Sequence, residues 1–196
     1  MRKIMTEETT HKQRKRNQLM MSMFLILVMV GSTIGFGYSY YMENSANNQQ
    51  DPTKLKYNGF EFENVNGFWV SSINGNNFIF RYNPQETQSN QVILNKIDSY
   101  QNKPVYIYSQ DQLSESEISI NLNQVAERVQ AVCAEGEKCD KDLPVKTCSD
   151  NLIIIKESNS SKISTKENCV IIEGNKIDLV KLSDDFLFKT LGIKNN

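Results

Sequence analysis

Cys133, Cys139, Cys148 and Cys169 are the only thiols in this 196-residue chain. Dithiol redox chemistry of the thioredoxin kind wants C-x-x-C at a helix N-terminus, where the thiolate is stabilised. Here the first pair is spaced C-x5-C, and Cys133 falls at the end of an apolar helical pattern. Two structural disulfides are therefore the expected use of the four sulfurs. The single histidine, His11, lies in a basic N-terminal tail. The rest of the chain holds no imidazole, so it can build neither a Ser-His-Asp or Cys-His site nor an imidazole zinc site. Ser-Lys catalysis, carboxylate pairs and thiols remain as enzyme routes. Carboxylates are plentiful, but they fall in polar loops or on the solvated sides of helical patterns. The densest run, AEGEKCDKD, holds Glu135, Glu137, Asp140 and Asp142. It lacks the ligand spacing and closing Glu of a calcium loop, and Lys138 and Lys141 dilute its charge, so a solvated loop is expected. Asn159-Ser160-Ser161 is an N-glycosylation sequon in a polar stretch. No residue qualifies as catalytic, cofactor-binding or metal-ligating.

The elements that position these side chains begin with a membrane anchor. Residues 1–16 hold six Lys or Arg against two Glu, and the formal net charge of the whole chain is −1, so the remainder is acidic. That balance predicts no nucleic-acid partner. No charge occurs between Arg16 and Glu43, and Leu19–Phe36 is nearly all apolar. At about 1.5 Å per residue, a helix of this length spans a hydrocarbon core of ~30 Å. Tyr38, Tyr40 and Tyr41 suit the far headgroup layer, and the basic flank places the N-terminus in the cytoplasm. The apolar run is longer than a signal-peptide core, and Gly35 and Gly37 make a poor cleavage site, so an uncleaved anchor in the cell membrane is expected. Gly31 and Gly35 form a G-x-x-x-G pair that can bring two such helices together as a homodimer. The organisation expected is a basic cytoplasmic tail (1–17), a transmembrane signal anchor (18–41), a polar linker (42–53) and an extracytoplasmic domain (54–196).

Within that domain Asn-Gly recurs at Asn58–Gly59, Asn66–Gly67 and Asn74–Gly75. Asn-Gly favours the two-residue type I′ hairpin turn. The strand-like segments Phe60–Val65, Phe68–Ile73 and Asn76–Tyr82 predict a three-stranded antiparallel meander with Phe60, Phe62, Phe78, Phe80 and Trp69 turned to a core. Val92–Tyr100 reads as a short helix and Val105–Tyr108 as a strand. A second helix is expected from a Ser114 cap with Glu117 closing a capping box and Leu113 stapled onto Ile118. Its apolar stripe is Ile118, Leu122, Val125, Val129 and Val132. Leu152–Ile155 and Val170–Ile172 read as core strands. A last helix runs from about Asp178 to Leu191, with Gly192 at its C′ position and a second start at Ser183–Asp185. The expected fold class is α+β, with helices on one face of a mixed sheet.

Four cysteines allow three pairings. Loop closure favours Cys133–Cys139 with Cys148–Cys169. If Leu152–Lys156 and Asn168–Ile172 formed a hairpin, however, Cys148 would lie about 23 Å along the strand from the point facing Cys169, at ~3.3 Å per residue. Either the segment before Leu152 folds back, for which Ser149 and Asp150 suit a turn, or the strands run parallel from adjacent starts. The fold-back is expected, because the 11-residue link Glu157–Glu167 is short for a parallel crossover.

The strings NGFEF…INGNNFIFRYNP and KLSDDFLFKTLGI resemble a family of uncharacterised single-span membrane proteins of small-genome archaea. The resemblance covers most of residues 56–193, implies membrane anchoring, and carries no activity, cofactor or site residue. The function expected is a disulfide-braced binding or assembly module, held at the cell surface by the lipid bilayer and meeting a protein partner there. The alternatives are an anchored cell-envelope enzyme with a histidine-free site, or a thiol redox partner.

Overall fold

The three Asn-Gly pairs take the backbone that their residue types favour. Asn58, Asn66 and Asn74 have φ of 48°, 53° and 52°, and the following glycines lie between 84° and 86°. Such turns match the right-handed twist of flanking strands. They join four strands, β1 (Lys54–Tyr57), β2 (Phe60–Val65), β3 (Phe68–Ile73) and β4 (Asn76–Phe80), into an antiparallel meander. The expectation of three strands is corrected to four. The first Asn-Gly pair needs a strand on each side, and Lys54–Tyr57 supplies it by pairing Leu55 with Phe62. The computed structural model describes residues 15–33, 53–87, 92–139 and 142–195.

A five-stranded mixed sheet follows, in the order β10-β11-β9-β5-β6. Its members are β5 (Pro104–Ser109), β6 (Arg128–Ala131), β9 (Leu152–Glu157), β10 (Lys162–Lys166) and β11 (Cys169–Gly174). All pairings are parallel except that of the edge strand β10. A short parallel pair, β7 (Cys133–Ala134) and β8 (Val145–Lys146), lies in the connection from β6 to β9. Two helices belong to this domain, α2 (Gln112–Leu122) and α3 (Leu179–Thr190).

One apolar core unites the meander, both helices and one face of the mixed sheet. It includes Phe62, Phe78 and Phe80, Ile118 and Leu122, Phe186 and Phe188, and Val105, Ile107, Ile153 and Ile172. Helix α3 is buried along its whole length except at Lys181. A helix covered on every side sits between layers, so the order is sheet, helices, sheet. Phe188 stands at the centre, with ring centroids 4.5 Å from Phe80 and 6.0 Å from Phe62. Burying each such ring contributes roughly 1.5–3 kcal/mol. Trp69 is half-buried and packs on the same core.

Several local expectations are corrected. Val92–Tyr100 holds only a 3₁₀ turn at Ile97–Ser99. Asp111, not Ser114, caps α2, its carboxylate accepting from the Ser114 N–H at 2.8 Å. Leu113 is 54% exposed and forms no staple. The helix stops at Leu122, and Val129 belongs to β6, because 3.6-residue and strand periodicities coincide over so short a stretch. Helix α3 has no second start at Ser183. Its end follows the expected geometry: Gly192 has φ 75°, Ile193 N–H donates to Phe188 O at 2.8 Å, and Gly192 N–H to Lys189 O at 3.0 Å.

The strands β9 and β11 run parallel, with Leu152 opposite Cys169. This overturns the hairpin premise behind the fold-back. The short link is long enough because its middle, β10, lies in the sheet as an antiparallel strand, and β11 enters between β9 and β10. A turn does form where Ser149 and Asp150 stand, with Asp150 N–H donating to Thr147 O at 3.0 Å. The disulfides join Cys133 to Cys139 and Cys148 to Cys169. Bridges of this kind form and persist in oxidising compartments outside the cytoplasm.

The chain divides into two units, residues 1–50 and 51–196. In the first, residues 15–33 form helix α1, exposed throughout. Among the described residues no helix is long and apolar enough to cross a membrane. Residues 34–41 of the expected span, the basic tail to residue 14 and linker residues 42–52 lie outside the described residues.

Candidate functional site

The chain leaving β5 and the chain leaving β6 turn onto opposite faces of the mixed sheet. Ser109 begins the first turn, donating its hydroxyl to Asp111 O at 2.7 Å, and Asp111 then starts α2. Ile118 and Leu122 of that helix share a core with Ile107 and Ile153. After β6, Val132 and Ala134 pack instead on Tyr106, Tyr108, Leu152 and Ile154. Where adjacent parallel strands send their chains to opposite faces, a crevice opens beyond their carboxyl ends, and such crevices bind ligands in α/β sheets. Here it is a cleft of about 430 Å³ between Ile107–Gln110, the first turn of α2 at Glu115, Ala131–Val132, and Lys138, Cys139 and Leu143. That volume lies in the range of small-ligand sites.

The cleft wall is held by polar contacts. Gln110 accepts from the Glu157 N–H at 2.9 Å and donates its own N–H to Ile155 O at 3.0 Å, which ties the end of β5 to β9. Its side-chain amide also donates to the Tyr108 hydroxyl at 3.4 Å. Tyr108 in turn donates to Glu137, which is ion-paired with Lys156. Glu137 of the acidic loop is thus a structural partner of the sheet rather than a freely solvated carboxylate. No group of three His, Cys, Asp or Glu among the described residues could hold a metal ion.

Of the residues singled out in sequence, Cys139 lines the cleft and its partner Cys133 lies behind it. Cys148 and Cys169 bridge the starts of β9 and β11 on the same side of the sheet. Asn159 is exposed between β9 and β10. Gly31 lies in α1 with open space around it, and Gly35 and Asp140 lie outside the described residues.

Sequence reasoning missed a buried polar seam between the meander and the helices. The open edge of β4 leaves backbone groups that need partners once covered. Asn121 provides two: its carbonyl accepts from the Ile79 N–H at 2.8 Å, and its amide donates to Ile79 O at 2.7 Å. Glu117 accepts from the Arg81 N–H at 3.0 Å and from the Arg81 guanidinium at 3.1 Å. Asp184 accepts from the Tyr82 N–H at 2.9 Å. Burial, then the Glu117 charge beside it, raises the Asp184 pKa well above the usual carboxylate range. Burial also raises that of Glu117, against the opposing pull of Asp184 and Arg81. The other Asp184 oxygen is buried without a hydrogen-bond partner, on the acid that burial and the neighbouring Glu117 charge push toward its protonated form. Next to them the buried Asp185 pairs with Lys194 at 2.9 Å, which also donates to Thr87. The available signal was position. Ser114, Glu117 and Asn121 fall at helical spacing beside Ile118 and Leu122, so they share the apolar side.

No protein family, curated protein or solved structure matches the chain.

Proposed function

We propose that residues 18–41 anchor this chain in a membrane and hold residues 54–196 outside the cytoplasm as a binding module whose ligand seats in the β5–β6 cleft. The position of the cleft carries the proposal: it lies at the point where the parallel strands part, walled by the first turn of α2 and by a disulfide-tied loop. The anchor is supported by α1, whose large side chains from Leu19 to Val30 are each at least 50% exposed. A helix apolar on every side belongs in a large core or in lipid. In sequence the apolar run continues to Phe36. Membership of the archaeal single-span family is part of the same proposal.

Two measurements test it on the full-length protein. Protease added to intact cells degrades the domain and spares the N-terminal tail. A photo-crosslinker at Leu143 then captures a ligand at the cleft, and Ala131→Trp, which fills the cleft from an exposed position, abolishes the adduct without lowering the melting temperature. A protease-protected domain overturns the topology, and an adduct indifferent to Ala131→Trp overturns the site.

A further inference from the structure

We propose that the Cys133–Cys139 bridge is a thiol-exchange site, opened by an extracytoplasmic protein dithiol that attacks Cys139 Sγ from the cleft. It uses the cleft of the binding proposal but requires no non-covalent ligand there.

Each disulfide joins a buried sulfur to a half-buried one in a pocket wall, Cys139 in the cleft and Cys148 in a second pocket of about 400 Å³, and what separates the two is the loop each closes. Cys169 is 1% exposed at the start of β11 and packs in an apolar cluster with Leu152 and Ile154. Its bridge to Cys148 spans 21 residues of sequence, whereas that of Cys133 and Cys139 spans 6. A short loop constrains the unfolded chain less, so opening the second bridge sacrifices less stability. Nor does the fold depend on it locally. Cys133 N–H donates to Pro144 O at 3.0 Å and Glu135 N–H to Lys146 O at 2.9 Å, so backbone pairing holds β7 against β8.

The surroundings also give the two sulfurs different roles. Cys139 is half-buried and forms part of the cleft wall, whereas Cys133 is 7% exposed behind it. Lys138 lines the same cleft, and its positive charge draws a thiolate to that side. Cys133 Sγ lies 3.8 Å from Ala134 O and 3.7 Å from Glu137 O, so a protonated Cys133 finds acceptors in place. The incoming thiolate bonds to Cys139 Sγ as the S–S bond breaks, and Cys133 Sγ leaves with the electron pair and takes a proton from water. The second thiolate of the partner then attacks the partner's own sulfur in the mixed disulfide and displaces Cys139 Sγ. Two electrons pass from the dithiol to the bridge, and the partner departs as a disulfide.

The test equilibrates the full-length protein in detergent with mixtures of reduced and oxidised dithiothreitol, then alkylates free thiols and maps the peptides. Cys133 and Cys139 become alkylated at a dithiol-to-disulfide ratio at least about tenfold lower than Cys148 and Cys169 require. Cys133→Ala, which leaves the cleft thiol, attacks a disulfide-linked peptide dimer and releases one peptide thiol, forming the mixed disulfide at least about tenfold faster than Cys139→Ala. Simultaneous opening of both bridges, earlier opening of Cys148–Cys169, or equal reactivity of the two variants overturns the proposal. Because the probe is a small dithiol, absence of a crosslinked ligand at Leu143 leaves this result standing.

Discussion

Replacing Asn121 by Leu tests whether the open edge of the meander depends on side chains of α2. The Asn121 amide is 1% exposed and makes three hydrogen bonds, two to Ile79 and one of 2.9 Å to Glu117 O. Leucine is close to asparagine in size, so the substitution removes polar partners with little change of volume. It strands the N–H and C=O of Ile79 beneath the helix, at about 1–3 kcal/mol for each unsatisfied group. The expected loss is therefore roughly 2–6 kcal/mol. For a domain of about 150 residues, each kcal/mol moves the melting temperature by ~2–4 °C, so a drop of roughly 4–24 °C is expected. The assay is thermal and urea unfolding of the full-length protein beside Asn123→Leu, an exposed control at the end of the same helix. The control stays within about 0.5 kcal/mol of wild type. Amide exchange adds a local readout, because the Ile79 N–H loses protection only in Asn121→Leu. Equal melting of the two variants with the Ile79 amide still protected would refute the reasoning.

The acid pair at the same seam sets a pH dependence. Between the ordinary carboxyl pKa of about 4 and the raised folded value, the folded chain keeps on Asp184 a proton that the unfolded chain has released. Stability therefore falls as pH rises through that window, and Asp184→Asn, whose amide can still donate to Glu117, flattens the slope in urea titrations at mildly acidic and neutral pH. An unchanged slope places the titration elsewhere. Gly174→Ala puts a Cβ 2.7 Å from Leu182 Cδ1, against the buried side of α3, and costs about 1–3 kcal/mol in the same unfolding assay. Phe188→Ala opens a cavity among Phe62 and Phe80 and costs about 3–5 kcal/mol, measured by urea unfolding.

The meander was the most legible part of the fold, because Asn-Gly turns and alternating aromatics act over a few residues and owe little to distant contacts. The Gly192 cap of α3 was legible for the same reason. The strands Leu152–Ile155 and Val170–Ile172 announced themselves as buried, yet their direction did not. A run of β-branched residues is the same in a hairpin and in a parallel pair, and only the in-sheet return of β10 decides between them. The candidate cleft was hidden more completely. It arises from the opposite turning of the chain after Ser109 and after Ala131, a property of topology that no local motif records. The buried acids misled because Asp184 and Asp185 after Ser183 have the look of a helix start. Their burial follows from the two sheets that enclose α3.

The place of α3 in the chain also shapes how the domain is made. Synthesis delivers the meander first, and its pairings are local enough to form on emergence. Its aromatic face, Phe62, Phe78 and Phe80, meets α2 first and lacks the Phe188 ring until residues 179–190 arrive, more than a hundred positions later in the case of Phe62. Nascent chains thus carry a sticky, preformed and only partly covered hairpin array through much of their elongation. Any nascent-chain holdase would meet this surface first, and a ribosome stalled before Leu179 would leave its Phe188 side uncovered.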